Sequence, residues 1–314
     1  MQTNPVIQVL LAPLSWVYGM LSGLRNYFFD KGLIKSFNPD IPVIVVGNLI
    51  AGGTGKTPVI AWLSREIGSR YRIAILSRGY GRKSNGFHLA DAHSTPETIG
   101  DEPLELKMLL PETIIAVDRN RKRGIQKLTS GLFGPIDLIL MDDGFQHRRV
   151  KPGYSIILDA ANRPMQSEKL LPAGLRRESL KSLKRGDMVV TTHIAAQADI
   201  KVNSKDIILV TGIANPQPLV DSLSQTHHII RHLKFPDHHH YTAKDASLIA
   251  SVCPQVRKPV SPMILTTGKD FVKLIRFPEL RDLLLEWIPA DPGIEPEVKE
   301  QIIKNILHYV EQNS

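Results

Sequence analysis

Short apolar runs without polar alternation recur along the middle of this chain: IPVIVVG (41–47), RIAILS (72–77), TIIAV (113–117), DLILM (137–141), YSIIL (154–158) and DMVVTT (187–192). Runs of this length, rich in Ile, Val and Leu, predict strands buried on both faces, as in a parallel sheet covered by helices. Helices are expected between them, beginning near Thr57 and near Asp101, with another across 119–129. The alternation predicts a doubly wound α/β domain. A second series, DIILVTG (206–212), HIIRHLKF (228–235) and PMILTTG (262–268), alternates with helix-like stretches and predicts a smaller α/β domain. The chain closes on an amphipathic helix, PEVKEQIIKNILHYVEQ (296–312), which suits packing on either domain. The expected divisions are an N-terminal segment 1–35, a first domain 36–203, a second domain 204–290 and a C-terminal helix 291–314.

The start of the chain has a different pattern. In VIQVLLAPLSWVYGMLSGLRNYFF (6–29), Gln8, Ala12, Ser15, Gly19, Ser22 and Asn26 follow one another at spacings of 4, 3, 4, 3 and 4. On a helix they form one narrow stripe of small or polar side chains, and the rest of the circumference is apolar. Such a helix is either deeply buried or in lipid, and the stripe would let it back closely onto protein or onto another helix. Pro13 is expected to kink it. MQTNP carries no positive side chain, which argues against a secretory signal. Arg25, Lys31 and Lys35 follow the apolar run, where they would meet anionic headgroups. Membrane association is the expectation and a buried packing helix the alternative; lying in the bilayer and spanning it are both open.

Composition narrows the partner. The 314 residues carry a formal net charge of +8, which points to an anionic partner: nucleic acid, phospholipid or a phosphorylated substrate. The basic residues gather in SRGYGRK (77–83), DRNRKRGIQK (118–127) and GLRRESLKSLKR (174–185). Aromatic residues make up only 6% and none interleaves with these clusters, so no nucleic-acid partner is expected. With Cys253 as the single cysteine, an intrachain disulfide is excluded, and missing Cys/His pairs argue against structural zinc.

The first strand runs into GNLIAGGTGKTP (47–58). A phosphate loop reads G-x-x-x-x-G-K-[ST]. Gly55, Lys56 and Thr57 supply its end, while Ile50 stands where the first glycine would fall; the pair Gly52 and Gly53 compensates. Ile50, Ala51, Gly52, Gly53, Thr54, Gly55, Lys56 and Thr57 are therefore the expected nucleotide-binding residues. Successive N–H groups would turn inward on an anion at a helix N-terminus, with Lys56 reaching the β and γ phosphates and the Thr57 hydroxyl ligating Mg²⁺. IDLILMDDGFQH places Asp142 and Asp143 at the tip of a buried strand, where one should hold Mg²⁺ and the other orient it. The Asn-Lys-x-Asp element of GTPases is absent, and its nearest string, TTGKD (266–270), lies in the second domain, so ATP is favoured.

These residues, with SRGYGR, GDEP, DDGFQHRR, LLPAGLRRE, FPDHHHY and TTGKD in that order over nearly the whole chain, resemble the tetraacyldisaccharide 4′-kinase (lipid A 4′-kinase) family. The resemblance implies a phosphate-loop kinase domain joined to a second α/β/α domain. It implies transfer of the ATP γ-phosphate to the 4′-hydroxyl of an acylated glucosamine disaccharide 1-phosphate at the cytoplasmic face of the inner membrane. It places a catalytic aspartate at Asp101 and a catalytic histidine at His238, with His239 as the alternative. It places metal contacts at Asp142 and Asp143, and substrate contacts at Gln146, His147, Arg177, Glu178 and Arg121. Two departures stand out: Gly268 where the family usually has glutamate, and Leu175-Arg176 where Pro-Leu is common. Neither touches a position assigned to chemistry.

A sugar hydroxyl is a poor acid, so a carboxylate that accepts its proton late in transfer helps. Asp101 suits that role; its structural alternative is a helix N-cap before EPLELKMLL. The competing reading of the whole chain is a membrane-associated ATPase acting as a nucleotide switch, which needs no acceptor base. A nucleic-acid-binding NTPase is a third, with a strongly salt-dependent affinity.

Overall fold

The computed structural model describes residues 5–193, 195–196, 206–253 and 262–313, so the expected boundary at 203/204 lies outside the described residues. Seven strands form the first sheet: β1 (Val43–Asn48), β2 (Ile73–Ser77), β3 (His88–Leu89), β4 (Ile114–Val117), β5 (Leu138–Asp142), β6 (Tyr154–Ala160) and β7 (Met188–Thr192). Their order is β3-β4-β2-β5-β1-β6-β7. All pairings are parallel except β3 with β4. Every residue of β1 and of β5 is buried, as expected of central strands covered on both faces. Side chains alternate between two cores: Ile44 and Val46 enter one, Val43 and Val45 the other.

Around this sheet lie α1 (Pro5–Asp30), α2 (Lys56–Ile67), α3 (Pro96–Ile99), α4 (Asp101–Leu109) and α5 (Arg121–Leu128). A two-residue strand, β8 (Ala195–Ala196), pairs antiparallel with β13 (Ala290–Asp291) late in the chain. Between them a second, four-stranded sheet is wholly parallel: β9 (Asp206–Thr211), β10 (His228–Lys234), β11 (Met263–Thr267) and β12 (Leu285–Ile288), in the order β10-β9-β11-β12. Its helices are α6 (Gln217–Leu223), α7 (Ala243–Val252) and α8 (Gly268–Leu274). The two sheets' units meet where α8 packs on α4. The last helix, α9 (Pro296–Asn313), returns to the first sheet. Its fully buried Ile302, Ile306 and Val310 join the core under α2, and Asn305 Nδ2 donates to the Tyr154 hydroxyl at 3.0 Å.

Helix α1 continues through Pro13, so the expected kink does not end it. Its stripe of small residues faces protein. Ser15 Oγ donates to the Leu170 carbonyl at 3.0 Å and accepts from the Ala173 N–H at 2.9 Å. A Cβ on Gly19 would stand 2.9 Å from Leu170 Cδ1, so a larger residue there would have to push that methyl aside. Asn26 Nδ2 donates to Glu178 Oε2 at 3.2 Å. The other face carries its apolar side chains into solvent: Val9, Leu10 and Trp16 are 69%, 72% and 70% exposed, and Leu14, Met20, Leu21 and Leu24 continue the surface. By length and composition α1 can cross a membrane, and only 6% of its most apolar window is buried.

Candidate active site

The phosphate loop leaves β1 and enters α2, whose N-cap is Gly55 at φ 77°. Gly52 has φ 115°, so both glycines occupy conformations that L side chains rarely adopt. The loop is braced from beneath: Asn48 Nδ2 donates to Thr54 Oγ1 at 2.7 Å, and Thr192 Oγ1 donates to the Thr54 carbonyl at 3.0 Å. Ile50 is 2% exposed and its side chain enters the core. Its backbone bridges Arg176, and the Ala51 N–H donates to the Leu175 carbonyl at 2.8 Å. The loop thus begins as a strand-like pairing, which explains a large apolar residue in place of the first glycine. It also corrects the expectation that Leu175 and Arg176 stand apart from the assigned positions: their backbones touch Ile50 and Ala51.

Strand β5 lies beside β1, with Val46 opposite Asp142, so the acidic pair ends next to the loop. The two carboxylates differ. Asp142 is 2% exposed; one oxygen accepts from Ser77 Oγ at 2.7 Å, and Oδ1 is buried with no hydrogen-bond partner. Burial first, and the charge of Glu102 second, raise its pKa. Asp143, at φ 47°, receives Arg177 Nη1 on both oxygens at 2.9 and 2.8 Å, and Lys56 Nζ stands 3.7 Å away. Burial alone would raise this carboxyl; Lys56 and then Arg177 outweigh it and hold it below the usual carboxylate value. Thr57 is half-buried on the first turn of α2. Among the described residues no group of three or more His, Cys, Asp or Glu could hold a metal ion. The donors here are two carboxylates and a hydroxyl, in the manner of sites whose remaining ligands are phosphate and water.

Of the five expected substrate contacts, three edge this site. Gln146 donates through Nε2 to the Asn48 carbonyl at 2.7 Å and accepts from Arg177 Nη1 at 3.3 Å. His147 Nε2 is buried without a partner, and burial, then the charges of Arg121 and Arg25, push its pKa down to about 4. The other two lie deeper: Arg121 and Glu178 are each 2% exposed. Arg121 donates to the carbonyls of Asp118 at 2.7 Å and Asp142 at 3.0 Å, so it holds the acidic tip. Glu178 is taken by Asn26 and by Arg185.

Asp101 is the first residue of α4; the N-cap is Gly100, and no side chain caps the helix. Its carboxylate instead faces the second sheet's unit, where His238 Nδ1 lies 3.3 Å from Oδ2 and Lys273 Nζ 3.1 Å from the same oxygen. His238 has φ 57° and its N–H donates to the Gly212 carbonyl at 3.2 Å. His239 turns away: Nε2 meets Asp245 Oδ2 at 3.1 Å and its ring stacks on Phe235. Of the adjacent histidines, it is therefore His238 that reaches Asp101. Sequence reasoning missed Lys273, Lys269 and Ser77, although TTGKD and SRGYGR held two of them in view.

A glycine-rich loop closing one central strand, with an acid ending the strand beside it, puts the fold among the phosphate-loop kinases. The model of the tetraacyldisaccharide-1-P 4′-kinase family matches residues 7–205 and 190–308. The chain is 37% identical to the tetraacyldisaccharide 4′-kinase of Phocaeicola vulgatus over 97% of this chain and 95% of that one. It is 35% identical to the enzyme of that name from Bacteroides thetaiotaomicron, over 97% and 93%. It superimposes with a TM-score of 0.78 on a crystal structure of LpxK from Aquifex aeolicus in complex with ATP, at 25% identity, covering 96% of this chain and 99% of that one. The chain belongs to the tetraacyldisaccharide-1-P 4′-kinase family, and it is a kinase.

Proposed function

We propose that this enzyme transfers the γ-phosphate of ATP to the 4′-hydroxyl of an acylated glucosamine disaccharide 1-phosphate, in lipid A biosynthesis, working from the cytoplasmic face of the inner membrane. One observation favours this over a nucleotide switch: a carboxylate from one unit and an imidazole from the other meet at 3.3 Å where α4, which also packs on α2, meets the second unit, and a switch needs no such pair. Asp101 takes the proton of the acceptor hydroxyl as the P–O bond forms, and His238 orients its carboxylate. The backbone of 50–57 cradles the phosphates, with Lys56 placed for the β and γ groups. Arg177, Gln146 and His147 face the acceptor, while Arg121 holds the acidic tip through the Asp142 carbonyl and Glu178 joins Asn26 of α1 to Arg185. The partnerless Asp142 Oδ1 fits a cation, and Asp142, Asp143 and Thr57 would hold Mg²⁺, which when bound neutralises charge on the phosphoryl oxygens. The test is incubation with ATP, Mg²⁺ and the acylated disaccharide 1-phosphate, with mass spectrometry of the lipid. One added phosphate on the lipid is expected; free phosphate alone would leave the switch.

The outer face of α1 is the proposed contact with an anionic membrane. Its apolar side chains already stand in solvent, where burial in the interface contributes about 25 cal/mol per Å². Trp16 and Leu24 are 70% and 48% exposed, so Trp16→Glu with Leu24→Glu should fold normally. It should leave anionic vesicles in a flotation assay and lose lipid-acceptor turnover more than ATP affinity. Flotation equal to wild type rules out α1 as the anchor.

A further inference from the structure

We infer that Lys269 and Lys273 of α8 are positioning residues for phosphoryl transfer, holding the Asp101–His238 pair from its two ends. The inference rests on the reading of that pair given above. The lysines are four residues apart, one turn of helix, so they leave α8 on the same face. Lys269 Nζ lies 2.9 Å from His238 Nε2 and 3.3 Å from Asp237 Oδ1. Lys273 Nζ lies 3.1 Å from Asp101 Oδ2, 3.1 Å from the His239 carbonyl and 3.7 Å from Asp270 Oδ1. Their side chains are 15% and 6% exposed. Asp270 is itself fixed: it accepts from the Gly212 N–H at 2.7 Å and from Thr267 Oγ1 at 2.8 Å. The same turn at Gly212 receives the His238 N–H. One short helix therefore carries both cations and ties them to the backbone that aims the histidine.

Each lysine does a different job. An ammonium group only donates, so His238 Nε2 must accept from Lys269. A neutral ring then carries its proton on Nδ1, the atom that faces Asp101 Oδ2. The Asp101 carboxylate, which only accepts, favours the same tautomer, and Lys269 reinforces it by closing Nε2 to a proton. Lys273 acts on the carboxylate. Burial would raise the Asp101 pKa; the His238 hydrogen bond and the charges of Lys273 and Lys269 outweigh it and hold the group below its usual value. The other groups acting on Asp101 or beside it are acidic or neutral. Glu105 of α4, pushed up to about 8 by burial and then by Glu102, carries little charge at neutral pH. Tyr241 is raised and stays neutral, and Asp270 lies behind Lys273. The lysines are thus the cations that keep this carboxylate charged and aimed.

The bland reading is that Lys273 merely fastens the two units together. Arg276 and Glu97 make such a contact at 3.1 Å, exposed and away from the pair, so Arg276→Ala serves as the control for fastening alone. In the full chain, phosphate transfer to the acylated disaccharide 1-phosphate is followed against pH. Lys273→Met should move the acid limb of kcat upward by about one pH unit, the low end of what an adjacent opposite charge does. Lys273→Arg and Arg276→Ala should leave it in place. Lys269→Met should lower kcat roughly tenfold at unchanged KM, a part of the 10²–10⁴ that a general base contributes. That loss should vanish in a His238→Asn background, because the asparagine amide replaces Nδ1 and tolerates the positive φ at 238. His238→Gln, which replaces Nε2, should retain less activity than His238→Asn. Independently of turnover, ¹⁵N-histidine NMR should show the His238 proton on Nδ1 and a hydrogen-bonded, accepting Nε2 in wild type, and an Nε2 resonance shifted by loss of that donor in Lys269→Met. An active wild type whose Lys→Met variants keep the acid limb and the ring spectrum, or lose only melting temperature as Arg276→Ala does, overturns the inference alone. A wild type that transfers nothing to the acceptor overturns the reading of the pair, and the inference with it.

Discussion

Lys56→Ala should lose phosphoryl transfer by roughly 10²–10³-fold or more, the scale set by removing one preorganised charge from a transition state, while folding as wild type does. The lysine sits on the first turn of α2, 8% exposed, directly after the Gly55 cap. Its ammonium group is aimed along the mouth of the loop toward Asp143 at 3.7 Å. Removal leaves Asp143 with two hydrogen bonds from Arg177, so that carboxylate is not orphaned and the melting temperature should scarcely change. Alanine is a good residue in a helix's first turn. The loop's own braces, from Asn48 and Thr192 to Thr54, do not involve Lys56. The loss should therefore be kinetic, read as kcat/KM for ATP beside a thermal melt. Near-normal turnover would move the nucleotide site out of this loop. Lys56→Arg should not restore activity, since a planar fork does not replace a compact point charge between phosphates.

The strands were legible because burial on both faces leaves a plain mark: six apolar runs of the first unit and three of the second all became strands, within a residue or two at their ends. The stripe on α1 was legible because its small and polar residues mark the face that meets protein, at Gly19 against Leu170 and at Ser15 through its hydrogen bonds. Pro13 lies inside α1, whose helix runs on through it, since a proline removes one hydrogen bond but need not end a helix. What a hydrogen bond does across the fold left no mark in the pattern. Glu178 and Arg121 are charged residues beside functional motifs and read as substrate contacts, yet the first is covered by Asn26 of α1 and the second lies under the acidic tip. Lys273 stands 172 residues from Asp101 in sequence, and no spacing rule joins them. The mismatch at Ile50 shows the reverse case. A departure from the motif became intelligible once its backbone partner at Arg176 was visible.

The Asp101–His238 pair supplies the other large effect. Asp101→Ala should lower kcat by roughly 10²–10⁴ with little change in ATP affinity, as expected of a lost general base. The helix-cap alternative predicts about 1 kcal/mol of lost stability and kept turnover. It is already disfavoured, because Gly100 is the cap and the Asp101 carboxylate points across to His238 at 3.3 Å. Stability should in fact move: Asp101→Ala leaves Lys273, 6% exposed, with Asp270 as its one nearby counterion among the described residues. Activity must therefore be measured well below the variant's melting temperature, and Asp101→Asn serves as a second variant that keeps the volume. His238→Ala should cost less than Asp101→Ala, since the ring orients a base and is not one. The double variant should be little worse than Asp101→Ala alone, because groups that act as one unit are strongly non-additive. Losses that simply add would mean that the two side chains touch without working together. A large loss confined to His239→Ala is not expected, since that ring is held by Asp245 and Phe235, and observing one would transfer the role to the neighbouring residue.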